Sequence, residues 1–344
     1  MNIQNLIRPN VKTLKPYASA RDEFQGAAEN MIFLDANENP FQNGINRYPD
    51  PQQNTLKGVL STIKNVPIEN MLLGNGSDEV LDLIFRVFCE PKQDNIIVLP
   101  PTYGMYEVLA NTNAVDVFTV QLSENFQPQV KQILETANSY SKLLFLCSPN
   151  NPTANSFNAS KIEKLITSFS GIVIIDEAYI DFSEGRSWVN RLKEFPNLII
   201  TQTLSKAYGM AGIRLGICYA SAEIISALNK IKPPYNVNEL TQKKALERLS
   251  NLPSVQNEVD RILFEREKLI EHLKSINFIE TVFPTDANFV LIKVDDANKR
   301  YNQLIKKGIV IRNRTNQTLC NNCLRLTVGT SIENEKLITI LKAL

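Results

Sequence analysis

Five short apolar segments constrain the fold of this 344-residue chain more than any other feature. They lie at 96–99, 115–120, 143–147, 172–175 and 198–201, mostly with helical spacers between them. Each is rich in leucine or in β-branched residues, and strands this uniformly apolar are buried on both faces, as in a parallel sheet covered by helices. The sequence therefore predicts an α/β fold with a large domain built on a mostly parallel central sheet.

The pattern changes near the double proline at 233–234. A long helical segment follows, and then strands are predicted at 289–294, 308–312 and 323–328, with helices at 299–307 and 332–341. This order is typical of a smaller α+β domain. We expect an N-terminal arm at 1–40 that contributes to the small domain and to a dimer contact, a large domain at 41–235, and a connecting helix with a small C-terminal domain at 236–344.

The charge balance argues against two classes of partner. The chain has 37 Lys and Arg residues against 36 Asp and Glu, so we expect it to bind neither nucleic acid nor an anionic membrane surface. No apolar run approaches membrane length, and the first ten residues lack the apolar core of a signal peptide. The expected location is the cytoplasm.

Histidine and cysteine usage narrows the chemistry. The only histidine, His272, lies in a charged helical stretch, so an imidazole-based catalytic site is not expected and lysine becomes the leading candidate for moving protons. Cys320 and Cys323 form a lone C-x-x-C without the second pair of ligands that zinc needs. We expect no metal site.

A reactive lysine is predicted just after the strand at 198–201. Lys206 lies among small and hydroxylic residues, a setting that suits a desolvated amine able to form a Schiff base with a carbonyl cofactor. Thr203, Ser205 and Arg214 could hold a phosphate monoester nearby. An ordinary loop lysine between a strand and a helix is the alternative.

Polar side chains follow two other apolar strands. Asp176 ends the strand at 172–175, and Asn151 comes shortly after the strand at 143–147. In an open α/β sheet, ligands bind outside the carboxyl ends of the strands. Asp176 could pair with a protonated ring nitrogen, and Tyr179 could hydrogen-bond a phenolic oxygen. A nucleotide-binding Asp-Glu pair is the alternative, but the chain has no phosphate-binding Walker loop.

Two further features point to a cofactor. The segment 74–79, Gly-Asn-Gly-Ser-Asp-Glu, lies between a strand and a helix, so the backbone amides of Ser77 and Asp78 could face an anion. A plain turn with a helix cap is equally compatible with that segment. Tyr103 could stack on a planar ring, although aromatic residues at helix starts are usually part of the core.

Together these motifs resemble those of the fold-type-I pyridoxal-phosphate aminotransferases and, more narrowly, of the histidinol-phosphate aminotransferases. The similarity extends from Tyr17 to Thr330. The matching segments are 34–40, 47–49, 74–79, 148–153, 176–179, 205–206 with Arg214, and 323–330.

The resemblance implies roles for the residues around the cofactor, pyridoxal 5'-phosphate. Lys206 would be the Schiff-base lysine and the base that moves the proton, with Asp176 on the pyridine nitrogen and Tyr179 among the catalytic groups. The remaining cofactor-binding residues would be Asn151 on the ring oxygen beside Tyr179, Tyr103 stacked on the ring, and, around the phosphate, Ser77, Asp78, Thr203, Ser205, Arg214 and Tyr48 from a second subunit.

The resemblance also implies the substrates and the assembly. Arg325 would bind the carboxylate of glutamate and, in turn, the phosphate of histidinol phosphate, helped by Tyr17 and Arg312; Arg314 leaves open which arginine makes that contact. Amino groups would pass between histidinol phosphate and 2-oxoglutarate in histidine biosynthesis, in a homodimer with shared active sites to which the arm contributes. The alternatives are an aromatic-amino-acid aminotransferase, a threonine-phosphate decarboxylase, or a non-catalytic binding protein on the same fold.

One residue departs from the family pattern. Ala154 stands where the pattern Asn-Asn-Pro-Thr-Gly has glycine. If the turn requires a positive φ angle, alanine is expected to strain it by about 1 kcal/mol.

Overall fold

The computed structural model describes residues 2–17 and 31–344, and it is built around a seven-stranded sheet. The strands are β1 (Met71–Asn75), β2 (Asn95–Val98), β3 (Asp116–Thr119), β4 (Ser141–Cys147), β5 (Ile172–Asp176), β6 (Leu198–Thr203) and β7 (Leu215–Ala220). Their order across the sheet is β1-β7-β6-β5-β4-β2-β3. All neighbours from β3 to β6 are parallel, whereas β7 is antiparallel to both β6 and β1. The predicted mostly parallel central sheet is therefore confirmed.

Strand β5 shows why the central segments are so apolar. All five of its residues are buried. Ile172 and Ile174 belong to the apolar cluster on one face of the sheet, and Val173 and Ile175 to the cluster on the other. Because burying one such side chain stabilises the fold by about 1.5–3 kcal/mol, both faces of the strand favour this position at the centre of the sheet.

Helices cover both faces. Those before the small domain are α1 (Pro9–Thr13), α2 (Asn54–Lys64), α3 (Ser77–Phe88), α4 (Met105–Thr112), α5 (Val130–Thr136), α6 (Ala159–Ser168) and α7 (Ala222–Ile231). Helices α2, α5 and α6 pack in the first cluster, while α1, α3, α4 and α7 pack in the second. This arrangement leaves the carboxyl ends of β4, β5 and β6 at one edge of the sheet, next to the start of α3.

The start of the predicted arm belongs to this large core. Ile3, Ile7 and Val11 are buried in the second cluster, and Arg8 pairs with Glu90 at 3.1 Å. These residues therefore pack on the large sheet, whereas we expected the arm to contribute to the small domain. Residues 18–30 of the arm lie outside the described part of the chain, and residues 31–34 are in irregular structure.

A second, smaller sheet confirms the predicted α+β unit. Its strands β8 (Ile279–Val282), β9 (Phe289–Val294), β10 (Arg312–Asn313) and β11 (Cys323–Thr327) are antiparallel in the order β10-β11-β9-β8. The helices of this half are α8 (Glu239–Leu249), α9 (Leu252–Lys274), α10 (Ala297–Lys306) and α11 (Ser331–Lys342). A third apolar cluster lies between this sheet and parts of α9, α10 and α11. The strand expected at 308–312 is limited to the two residues of β10.

Two further observations concern the start of the last helix, α11, and the hydropathy of the helices. The last helix begins with a capping box, in which Thr330 and Glu333 each accept a hydrogen bond from the other's backbone amide. Among the described residues, no helix combines the length and the hydropathy that a membrane span requires.

Candidate active site

A single cavity lies at the carboxyl edge of the large sheet. It encloses about 510 Å³, counting the space open to solvent, and it contains every residue predicted to bind the cofactor except Tyr48. The residues that line it are Ser77, Asp78, Tyr103, Cys147, Asn151, Asp176, Ala178, Tyr179, Thr203, Ser205, Lys206 and Arg214. Three consecutive parallel strands, β4, β5 and β6, deliver most of them, because their carboxyl ends meet at the same edge.

Lys206 lies on one side of this cavity. Its Nζ is 5.6 Å from the centre of the Tyr179 ring. Partial burial, and then the nearby guanidinium groups of Arg325 and Arg214, lower the pKa of Lys206, against the opposing effect of Asp176. A lowered pKa leaves a larger fraction of the amine neutral near pH 7, which a lysine needs in order to act as a nucleophile or a base.

Asp176 lies at the bottom of the cavity and is 4 % exposed. The hydroxyl of Tyr106 donates to its Oδ2 at 2.8 Å, and the backbone amide of Ala178 donates to its Oδ1 at 3.1 Å. Burial raises the pKa of Asp176, although these hydrogen bonds oppose the rise. No cation within the described residues forms an ion pair with this carboxylate, so a protonated ring nitrogen would supply the charge that it lacks.

Tyr106 is a site residue that the sequence analysis did not identify. Its side chain is 0 % exposed, and its ring stacks on Phe145 at 4.6 Å and meets Tyr103 edge to face at 5.6 Å. A buried tyrosine hydroxyl needs a hydrogen-bond partner. The signal was therefore available, since Tyr106 lies on the apolar face of a helix that starts next to the sheet edge.

The end of the cavity that lies between the start of α3 and Arg214 is suited to a phosphate. Gly76 precedes α3 with φ +82°, so the first amides of that helix face the cavity beside Arg214. The hydroxyls of Thr203 and Ser205 are 3.0 Å apart, and Arg214 Nη2 is 3.7 Å from Asp78 Oδ2. Arg214 itself adopts φ +55°, a strained conformation for a non-glycine residue that is common at ligand sites.

Two glycines make this end possible. A Cβ atom on Gly76 would lie 2.7 Å from Arg214 Nη2, and a Cβ atom on Gly216 would lie 2.3 Å from the backbone nitrogen of Ser77. Both distances are far below van der Waals contact, so only glycine allows β7, the start of α3 and Arg214 to approach each other this closely.

Two of the predicted substrate residues, Arg325 and Arg312, lie on the small sheet. Arg325 Nη1 donates to Asn151 Oδ1, and its guanidinium lies 5.1 Å from the centre of the Phe289 ring. Burial, together with the charges of Arg314 and Arg312, lowers the pKa of Arg325 to about 10. Arg312 is opposite Arg325 in the β10/β11 pair. The small sheet therefore presents cationic groups next to the cofactor cavity.

Tyr48 and Tyr17 are not at the cavity in the single chain. Tyr48 is 52 % exposed and stacks on Tyr235 with ring centroids 4.5 Å apart. It lines a separate groove together with Ile45 and Leu240. Tyr17 is 75 % exposed.

The turn at Ala154 has the conformation that the family pattern implied. Ala154 adopts φ +68° and is 0 % exposed, so the expectation of a positive φ angle is confirmed. The buried methyl group, a contribution of about 0.8 kcal/mol, offsets part of the strain of about 1–2 kcal/mol that an L-residue has in this region.

The C-x-x-C pair is buried. Cys320 and Cys323 are free thiols that are 0 % and 1 % exposed. In the ranges that the structure describes, no group of three or more His, Cys, Asp or Glu side chains is arranged to hold a metal ion.

Comparison with known proteins identifies the family. The model of the class I and II aminotransferases matches residues 30–343. The chain belongs to this family. It is a pyridoxal-phosphate-dependent aminotransferase. The buried Asp176, which has no cationic partner among the described residues, the lysine across the cavity and the glycine-lined anion pocket fit that cofactor.

Relatives and solved structures extend the comparison. The histidinol-phosphate aminotransferase of Flavobacterium johnsoniae is 64 % identical, over 100 % of this chain and 99 % of that protein. The crystal structure of the histidinol-phosphate aminotransferase from Clostridium acetobutylicum has a TM-score of 0.80 and 27 % identity, over 87 % and 90 % of the two chains. That of the Sinorhizobium meliloti enzyme in complex with pyridoxal-5'-phosphate shares the fold, with a TM-score of 0.79 and 21 % identity over 86 % and 82 %.

Proposed function

We propose that this enzyme transfers the amino group of L-histidinol phosphate to 2-oxoglutarate, as part of histidine biosynthesis. The relatives that carry this activity in their names match the chain over its full length. The structural observation that carries the proposal is the hydrogen bond from Arg325 to Asn151. It places a guanidinium group, which can bind a substrate anion, next to the cavity that contains Lys206. A guanidinium can bind either a phosphate or a carboxylate, so one site can accept both substrates in turn.

The cofactor determines the kind of chemistry, and the chain's own residues direct it. Pyridoxal phosphate, when bound, supplies an aldehyde for the substrate amine and a ring that withdraws electrons from the substrate α-carbon. We assign to Lys206 the transfer of the proton from that carbon, because its pKa is lowered and it faces the cavity. Asp176, without a cation of its own, holds the ring nitrogen protonated.

Tyr179 and Asn151 orient the ring oxygen. Burial raises the pKa of Tyr179 well above its ordinary value, so its phenol stays protonated at neutral pH and can donate a hydrogen bond. Tyr103 places its ring beside the cavity and donates to Asp78 Oδ1 at 3.2 Å. We assign to Ser77, Asp78, Thr203, Ser205 and Arg214 the binding of the cofactor phosphate, since they form the glycine-lined end of the cavity.

A substrate panel tests the proposal. Histidinol phosphate, phenylalanine and phosphothreonine are each incubated with 2-oxoglutarate, and both glutamate and carbon dioxide are measured. We expect histidinol phosphate to give the highest kcat/KM for glutamate formation. Faster reaction of phenylalanine, or carbon dioxide released from phosphothreonine, would assign the enzyme to one of the alternative activities.

We also propose that the enzyme is a homodimer with shared active sites, in which Tyr48 reaches the phosphate end of the cavity in a second copy. The groove that contains Tyr48 also contains Ile45 and Leu240, which are 60 % exposed each. Nearby segments expose Ile32, Leu34 and Phe41 by 80 % or more. A surface with this many exposed large apolar side chains is typical of an interface.

Mixed dimers test this arrangement. Lys206→Ala and Tyr48→Ala chains are each expected to have low activity alone. A mixed dimer contains one site with both native residues, so an equal mixture should recover about a quarter of the wild-type sites by statistical exchange of subunits. No recovery, although subunit exchange is demonstrated, would show that Tyr48 does not act in a second copy.

The division into an arm at 1–40, a large domain at 41–235 and a small domain at 236–344 is also a proposal. The separate third apolar cluster, formed by residues from Leu269 to Leu341, supports it. Residues 237–259 of the connecting helices pack instead in the first cluster of the large sheet. Limited proteolysis that cuts first near 232–236 would agree with this division.

A cytoplasmic location completes the proposal. All five cysteines are free and buried, as expected for a protein that works in a reducing compartment. Cell fractionation with an antibody against the native chain would test the location directly.

A further inference from the structure

Three arginines lie on one face of the small sheet. Arg312 and Arg325 are directly opposite each other in an antiparallel pair, so their side chains project to the same side. The amide of Arg314 donates to the carbonyl of Cys323 at 2.9 Å and continues this ladder. Because side chains alternate along a strand, Arg314 projects to the same side as Arg312.

This face is turned toward the active site. Arg325 contacts Asn151 and packs on Phe289, and Cys323, two residues before Arg325, is buried in the cluster of the large sheet. Leu324 and Leu326, which alternate with these residues, are buried in the small-domain cluster instead. The guanidinium group of Arg325 therefore lies beside Asn151, and those of Arg325 and Arg314 are close enough to Tyr179 to act on it electrostatically.

The side chain of Arg314 has an unsatisfied hydrogen-bond donor. Its Nε is buried and has no hydrogen-bond partner, and no carboxylate in the described ranges forms an ion pair with it. Burial and the neighbouring Arg312 lower the pKa of Arg314, while the Tyr179 phenol has the opposite effect. A half-buried guanidinium whose Nε lacks a hydrogen-bond partner is costly, so the arrangement is stabilised when an anion binds.

The two proposed substrates differ in the charge that they bring to this face. A phosphate monoester carries about −1.5 to −2 near pH 7, whereas a carboxylate carries a single negative charge. Electrostatic attraction is proportional to charge. A guanidinium beyond Arg325 therefore favours the phosphate substrate over the carboxylate substrate.

We propose that Arg314 is a substrate-binding residue that gives this site its preference for a phosphate monoester over a carboxylate. The inference rests on the proposed transamination of histidinol phosphate. It assigns the half-buried Arg314 to the substrate anion in addition to Arg325, whereas Arg312, which pairs with Arg325 across the two strands, is exposed.

The test compares Arg314→Gln and Arg314→Lys with the native holoenzyme. The control is Lys307→Gln, which removes an exposed positive charge before the same strand. Steady-state kinetics are measured with histidinol phosphate and with glutamate as amino donors, and inorganic phosphate is titrated as a competitive inhibitor. Thermal unfolding of each variant reports whether it is folded.

For Arg314→Gln we expect kcat/KM to fall about 30-fold with histidinol phosphate, mostly through KM, but only about fivefold with glutamate. The inhibition constant for inorganic phosphate should rise about tenfold. Arg314→Lys keeps the charge but not the planar fork, so intermediate losses are expected. Lys307→Gln should behave like the native enzyme.

Equal losses for the two donors, or an unchanged phosphate inhibition constant, would overturn the inference. If Arg314→Gln does not fold, the inference is tested with Arg314→Lys. Native kinetics of Arg314→Lys with both amino donors would overturn the inference. If the native enzyme does not transaminate histidinol phosphate at all, the proposed function fails instead. The phosphate titration still shows in that case whether Arg314 binds the anion.

Discussion

Removing the hydroxyl of Tyr106 should weaken cofactor binding and catalysis without disturbing the fold. Tyr106 is fully buried and donates to Asp176 Oδ2 at 2.8 Å. A hydrogen bond to a charged group is worth about 1.5–3 kcal/mol. Tyr106→Phe removes this bond and keeps the ring stacked on Phe145, so the change acts mainly on the carboxylate.

The expected magnitude follows from that energy. Without the hydroxyl, the pKa of Asp176 rises further, because one of the effects that oppose desolvation is lost. The ionised carboxylate that stabilises the protonated ring is then less favoured. We expect the Kd for pyridoxal phosphate to rise at least about tenfold and kcat to fall about tenfold. The acidic limb of cofactor binding should move to higher pH.

Tyr219→Phe is the matched control. Tyr219 is also fully buried, but its hydroxyl has no hydrogen-bond partner among the described residues, and it belongs to the cluster on the other face of the sheet. Its loss should leave cofactor affinity unchanged and the free energy of unfolding equal or higher. If Tyr106→Phe binds the cofactor and turns over like Tyr219→Phe, the hydrogen bond does not tune Asp176 and the reasoning is wrong.

Three further changes give distinct expectations. Gly216→Ala places a Cβ 2.3 Å from the Ser77 nitrogen. The resulting overpacking, of about 1–3 kcal/mol, should lower the thermal stability, measured by calorimetry, and weaken cofactor binding, measured by absorbance. A native cofactor affinity would contradict the close approach. Ala154→Gly relieves strain of about 1–2 kcal/mol, but it loses about 0.8 kcal/mol of methyl burial and about 0.5–1 kcal/mol of chain entropy. The free energy of unfolding, measured with denaturant, should therefore change by less than about 1 kcal/mol. A larger shift would show that one of these contributions is misjudged. Asp176→Asn should reduce kcat at least about 10²-fold yet stabilise the cofactor-free protein at neutral pH. Because the folded-state pKa of Asp176 is raised above its unfolded-state value, the ionised carboxylate destabilises the fold fully above the folded-state pKa, and this penalty is lost as the pH falls from that pKa to the unfolded-state pKa. The stability difference between the two proteins should therefore shrink in acid, and a constant difference would contradict the assignment.

The sequence predicted the parallel part of the large sheet because β2, β4, β5 and β6 are buried on both faces, whereas β3, at the edge, is only partly buried or exposed. Strand β7 escaped notice, since Gly216 interrupts its apolar pattern and its antiparallel position depends on close contact with the start of α3. Strand β8 is an edge strand whose residues are only partly buried or exposed, so it lacks the apolar pattern from which strands are read.

The spacing of the motifs predicted the grouping of several site residues, but it did not predict the full set of residues at the site. Asp176, Asn151 and Lys206 lie together because parallel strands end at one edge. The roles proposed for Tyr106 and Arg314 depend on contacts between segments far apart in sequence, which periodicity does not report. The role proposed for Tyr48 involves a second copy of the chain, which a single sequence does not describe.

The identity of the lysine that carries the cofactor is the central claim, and chemical reduction tests it most directly. The enzyme with bound pyridoxal phosphate is treated with borohydride and digested, and the modified peptide is sequenced by mass spectrometry. We expect the phosphopyridoxyl group on the Nζ of Lys206 and on no other lysine. Its attachment at a different lysine, or the absence of any reduced adduct in an active enzyme, would contradict the assignment of Lys206.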